Sequence, residues 1–176
     1  TTQCYNPHLG DWDRELLSEI GIPTEIFPEI IPPGTRIGEY DGIPVIAPAT
    51  HDTGSAVVAV PTVTENYAYL SSGTWSLFGL ELAQPLINDA TCAANLTNEG
   101  GAGGTFRFLR NVVGLWIAQQ CRATWHAAGT SYSYDDLTAA AAAAEPFRSL
   151  IDPDHADFLA PGDMPERIRA YCRATG

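Results

Sequence analysis

The stretch that most restricts the fold is residues 44–60, PVIAPATHDTGSAVVAV. Two apolar runs enclose the polar turn Thr50-His51-Asp52-Thr53-Gly54. PVIAPA reads as a buried strand. GSAVVAV reads as a tightly packed helix: its residues are small and a cap precedes it, although valine favours strand. A strand that ends in a polar turn opening a helix is an α/β connection, and such turns often carry active-site groups. From these residues alone, His51-Asp52 is open to three readings: a catalytic pair, a metal-ligand pair, or a capped turn with Asp52 or Thr53 at the N-cap. The metal reading is the weakest, because His8, His126 and His155 lie in unrelated settings.

The chain has 176 residues, 45% of them apolar, enough for one or two small domains. Its net charge is -12, and its nine basic residues are all arginine. Without lysine there is no Walker-type phosphate loop, and an acidic chain without a basic stripe is no nucleic-acid groove. No run approaches the roughly 18 apolar residues of a membrane-spanning helix, and the polar start TTQCYNPHLG lacks a secretory pattern. Cys4, Cys92, Cys121 and Cys172 show no C-x-x-C spacing, so they read as free thiols of a cytoplasmic protein rather than zinc ligands. The sequon at Asn95-Leu96-Thr97 then reads as chance.

DWDRELLSEIG predicts a short helix capped by Asp11, with Trp12, Leu16, Leu17 and Ile20 on one face and Gly21 at its end. Five prolines between 23 and 44 predict an ordered, extended linker. NYAYLSSGTWSLFGLEL predicts two strands joined at a Ser-Gly turn. AANLTNEGGAGGTFRFLR predicts a third strand, a glycine-rich turn and a short strand on which Phe106 and Phe108 alternate with Arg107. NVVGLWIAQQCRATWHAAG reads as one long helix, apolar nearly all round and so buried between layers. SYDDLTAAAAAAE is a second helix with a Ser133/Asp136 capping box, its alanines a close-packing surface, and MPERIRAYCRATG a third. This order of elements predicts an α/β or α+β fold whose consecutive strands form a meander.

Three segments carry candidate chemistry. The His51-Asp52-Thr53 turn is the first. Ser71-Ser72-Gly73-Thr74 is the second: a turn with a glycine and hydroxyls can wrap a phosphate, and equally can be an ordinary hairpin turn. Asn111 and Gln119 are the third. On one helix, eight residues place them about 80° apart and about 12 Å along the axis, so they would reach two ends of an extended ligand. Asn111 as a cap and Gln119 as a surface residue are the plainer readings. EGGAGGTF fails the dinucleotide spacing and reads as a turn.

The ordered series WDRELLSEIGIP, FPEIIPPGTRIGE, PVIAPATHDTGSAV, YAYLSSGTWSLFGLEL, NEGG and RNVVGLWIAQQC resembles the FGGY family of carbohydrate kinases. The resemblance runs over residues 3–126 and more loosely beyond. It implies a partial actin-like, ribonuclease H-like ATPase fold, with residues 1–62 closing a first, sugar-binding domain and 63–176 beginning a second, nucleotide-binding one. It implies that the chain is a central piece, with one phosphate hairpin before residue 1 and an adenosine-binding segment after residue 176. By position, Asp52 resembles the catalytic base; His51, Asp52, Thr53 and Asn111 resemble sugar contacts; Thr74 and Gln119 resemble ATP contacts. The partners implied are L-rhamnulose and ATP with Mg²⁺, and no protein-held metal. Another ketose (fuculose or xylulose) and a non-catalytic ligand-binding domain of the same fold are the alternatives, and a metal-dependent phosphohydrolase is a distant third. The isolated 176-residue chain is expected to be inactive; ketose-dependent ADP production by that chain alone would refute this.

Overall fold

The computed structural model describes residues 2–49, 51–64 and 66–175; Thr50, part of the turn singled out above, lies outside them. A two-residue antiparallel ladder, β1 (Tyr5–Asn6) with β2 (Asp11–Trp12), precedes helix α1 (Arg14–Glu19). The cap of α1 is Asp13, whose carboxylate accepts from Leu16 N at 3.1 Å; Asp11, expected in that role, is spent in β2. Of the predicted apolar face only Leu17 is buried, and Leu16 and Ile20 are exposed. A helix of six residues has too few turns to present a full stripe.

The proline-rich stretch holds more structure than a linker. A 3-10 turn covers Thr24–Ile26, and β3 (Arg36–Tyr40) pairs antiparallel with β4 (Ile43–Ile46) around Asp41-Gly42. Both turn residues have positive φ, +49° and +78°, the geometry for which Asp-Gly is selected in two-residue hairpins. The strand expected in PVIAPA is therefore present as β4, but Ile43, Val45 and Ile46 are exposed rather than buried. Burial begins only at Ala49, just before α2 (Asp52–Val58).

The chain divides into two compact units: Thr1–Ser71 with Leu77–Arg110, and Ser72–Ser76 with Asn111–Gly176. A four-stranded sheet runs in the order β5 (Ala68–Ser72), β6 (Trp75–Leu82), β8 (Phe106–Val113), β7 (Thr97–Gly100). This is not the expected meander. Between β6 and β7 the chain forms α3 (Asp89–Ala93), unforeseen in the sequence and closed by a reciprocal Asn88/Thr91 capping box, so β7 arrives at the sheet edge and β8 returns inside it. In the first unit the core is Val57 of α2 against Tyr69, Leu77 and Leu109 of the sheet. Gly79 permits close packing of the strands here: a Cβ there would lie 2.6 Å from Phe108 O and 2.8 Å from the Tyr69 hydroxyl. Burial pushes that hydroxyl up to about 12.

In the second unit, α4 (Trp116–Ala127), α5 (Tyr134–Ala143) and α6 (Met164–Thr175) follow. The long helix expected from residue 111 is shorter, because Asn111-Val112-Val113 extend β8 instead; β-branched valines suit a pleated strand. On α4 only Cys121 is buried, so the helix is not enclosed between layers. Cys121 packs with Phe158 and Met164, flanked by Ile117, Trp125, Ile168 and Tyr171. The capping box of α5 is present: Asp136 N donates to Ser133 Oγ and Asp136 Oδ2 accepts from Ser133 N. Its alanines, expected to be a packing surface, are all exposed.

Burial raises the Cys121 thiol, whereas Cys92 is exposed. The thiolate is the reactive form. Native alkylation with iodoacetamide near neutral pH is therefore expected to label Cys92 well before Cys121; equal rates by peptide mass mapping would contradict this packing.

Candidate functional site

The turn before α2 is built by its own side chains. His51 takes the N-cap position with extended backbone, φ -94° and ψ 141°. Its Nδ1 lies 2.8 Å from Asp52 Oδ1 and 2.7 Å from Thr53 Oγ1. A carboxylate oxygen only accepts, so with a proton on Nδ1 the ring donates to Asp52, and without one Nδ1 accepts from Thr53. The Thr53 N–H is 2.7 Å from Asp52 Oδ1 and 3.3 Å from His51 Nδ1. Asp52 Oδ1 thus accepts the Thr53 amide and has the ring nitrogen within hydrogen-bond distance. Oδ2 has no hydrogen bond among the described residues, and the side chain is 91% exposed. One oxygen is fixed and the other is open, which suits a carboxylate that receives a proton.

Beneath this turn lies a residue that the sequence reading had placed only as an alternating strand position. Arg107 of β8 is 2% exposed. Its Nη1 donates to Thr53 Oγ1 at 2.7 Å, its Nη2 to Glu99 Oε2 at 2.8 Å, and its Nε to Gly100 O at 3.4 Å. Glu99 and Arg107 are direct cross-strand partners of β7 and β8. Arg107 and Leu109 share a strand face, and Thr53 and Val57 share a helix face, so the ionic and apolar contacts are one interface. Gly54 opens the space: a Cβ there would sit 3.4 Å from the guanidinium carbon. The available signal was an arginine between two phenylalanines in an apolar strand, two residues from a core leucine.

Within the second unit, Thr74 and Gln119 are brought together, Gln119 Nε2 donating to Thr74 Oγ1 at 3.3 Å. The Gly73-Thr74 turn is docked by backbone bonds from the start of α4: Leu115 N to Gly73 O at 2.8 Å, Trp116 N to Thr74 O at 3.1 Å. Gly114 makes this approach possible, since a Cβ would meet Gly73 O at 2.6 Å. Asn111 is exposed on β8, in a strand rather than on the helix of Gln119, so the helical spacing expected for that pair does not exist. The half-buried Arg122 guanidinium stacks 4.6 Å from the Tyr134 ring centroid. Among the described residues no group of three or more His, Cys, Asp or Glu side chains gathers to hold a metal ion, and no helix is long and apolar enough to cross a membrane.

Residues 68–175 match the model of the FGGY family of carbohydrate kinases, C-terminal domain, and the chain belongs to that family. With that family come the actin-like, ribonuclease H-like fold and its mixed α/β layers. The curated relatives narrow it further. The chain is 47% identical to a rhamnulokinase of Bacteroides thetaiotaomicron over 100% of its own length and 38% of the relative's. It is 41% identical to a rhamnulokinase of Mannheimia succiniciproducens, covering 98% of this chain and 35% of that one. A rhamnulokinase of Bacillus subtilis is 40% identical over 99% and 38%. The chain thus spans well under half the length of these relatives. Among solved structures, a ligand-bound xylulose kinase from Lactobacillus acidophilus superposes with a TM-score of 0.63 at 20% identity, over 82% of this chain and 30% of that one, a likeness of fold.

Gly114→Ala is expected to displace the Gly73-Thr74 turn, because backbone cannot yield to a new methyl group as a flexible side chain can. A loss of about 1–3 kcal/mol in urea unfolding is the expected size for overpacking; an unchanged midpoint would show that the turn is not docked as described.

Proposed function

We propose that this chain is the central part of an ATP-dependent ketose kinase that phosphorylates the 1-hydroxyl of L-rhamnulose. The observation that carries the reading is the 40–47% identity to rhamnulokinases along essentially the whole chain. Residues 1–62 close the sugar-binding domain and 63–176 open the nucleotide-binding one; the family match beginning at residue 68 supports that boundary. A cytoplasmic location accords with ketose and ATP as substrates.

In this reading Asp52 is the general base. The ketose 1-hydroxyl loses its proton to Asp52 Oδ2 while its oxygen bonds to the γ-phosphorus; the bond from that phosphorus to the bridging oxygen breaks and ADP leaves. Much of the proton moves late, so a carboxylate of ordinary basicity suffices. The Oδ1 contacts with the His51 ring and the Thr53 N–H fix the direction in which Oδ2 faces. His51, Thr53 and Asn111 hold the sugar, and their polar groups match a polyol. Thr74 and Gln119 contact ATP: their mutual bond presents one hydroxyl and one amide together, beside backbone already engaged by α4. Kinases of this family use ATP with a divalent metal, proposed here to be Mg²⁺. It would be held by the phosphates of ATP and would neutralise their charge there.

Asp52→Asn in the full-length protein keeps the size of the side chain and removes the proton acceptor. It is expected to lower kcat by about 100-fold or more while ketose binding persists. A coupled ADP assay with L-rhamnulose, L-fuculose and D-xylulose checks both parts: undiminished turnover removes Asp52 as base, and a preference for another ketose corrects the substrate. A non-catalytic domain would bind ligand without turnover in either form.

A further inference from the structure

We propose that Arg107, anchored by Glu99, is a positioning residue for ketose binding that acts through the Thr53 hydroxyl. This rests on the reading of the His51-Asp52-Thr53 turn as the sugar site and adds to it a group that does not touch substrate.

Two features set this arginine apart from an ordinary structural ion pair. First, its charge is divided between two tasks. One arm is neutralised in the sheet by its cross-strand partner Glu99, and the other is aimed out of the sheet at a single hydroxyl. A planar guanidinium fork spans both partners from separate nitrogens, a width that the single nitrogen of an ammonium lacks. Second, the contact determines how Thr53 meets a ligand. Thr53 Oγ1 receives Arg107 Nη1 at 2.7 Å and lies 2.7 Å from His51 Nδ1. One acceptor position of the hydroxyl is therefore taken by a buried cation, which fixes where the oxygen sits and leaves its O–H and its other lone pair to be shared between His51 and a ligand. The Asp52 carboxylate, an acceptor only, stands in the same turn. A sugar hydroxyl, which both donates and accepts, is complementary to that arrangement. The chain of contacts from Glu99 through Arg107 to Thr53 and His51 lies within one compact unit and fixes where the Thr53 oxygen sits before any ligand arrives.

The test uses the full-length protein and begins with the unaltered form on the ketose panel. Arg107→Lys keeps the charge beside Glu99 but not the reach to both partners. Folded Arg107→Lys protein is expected to show a KM for ketose raised about tenfold or more, the usual size for losing a hydrogen bond to a charged group, with the KM for ATP within about twofold. Thr53→Val raises ketose KM by itself, and adding Arg107→Lys to it is expected to bring no further rise, because both act on the same bond. If Arg107→Lys does not fold, the Arg107→Met/Glu99→Gln pair removes both charges together, which buried pairs tolerate better than loss of one partner, and it is held to the same KM criteria. An unchanged ketose KM, an equal rise for ATP, or additivity with Thr53→Val overturns the proposal and leaves the kinase reading intact. No ketose turnover by the unaltered protein overturns both.

Discussion

A buried guanidinium organises the first unit. Arg107 is almost entirely withdrawn from water, and a charge in that position persists only when paired and hydrogen-bonded. Glu99 supplies the pair from the neighbouring strand, which ties the register of β7 on β8 to an electrostatic requirement. A one-residue slip would turn Glu99 to the opposite face and leave the arginine uncompensated. Because the same guanidinium reaches Thr53, the register of the sheet also sets where α2 begins. Leu109 and Val57, on the same two faces, complete the contact with apolar surface.

The turn before α2 and the turn between β5 and β6 are held by different physics. The His51-Asp52-Thr53 turn depends on side chains, with a carboxylate and a hydroxyl 2.8 and 2.7 Å from one ring nitrogen. The Gly73-Thr74 turn depends on backbone, with three amides at the start of α4 donating to its carbonyls. A side-chain network can be retuned by substitution, residue by residue. A backbone dock tolerates change at Thr74 but not at Gly114, where a methyl group would collide with Gly73 O.

Legibility from sequence followed the range of the interactions. Helix α2, the β5–β6 hairpin, the capping box of α5 and helix α6 depend on neighbours a few residues away, and the residue pattern located them. Asp41-Gly42 and the Asn88/Thr91 box were local signals of the same kind, masked by nearby prolines and by a run that resembled strand. The end of β8 was a different matter. Asn111-Val112-Val113 carries helix-compatible spacing into α4, and strand pairing is what decides it; the Val113 amide is then satisfied by Asp154, 41 positions away.

The order of segments and the places of the His51-Asp52-Thr53 and Gly73-Thr74 turns were determined by the sequence itself, because turns and caps are short-range. Tertiary structure alone decided that Arg107, alternating unobtrusively in an apolar strand, stands beneath Thr53, 54 positions away. No periodicity encodes that pairing: it arises when a sheet face and a helix face are pressed together and a charge between them must find every partner it needs.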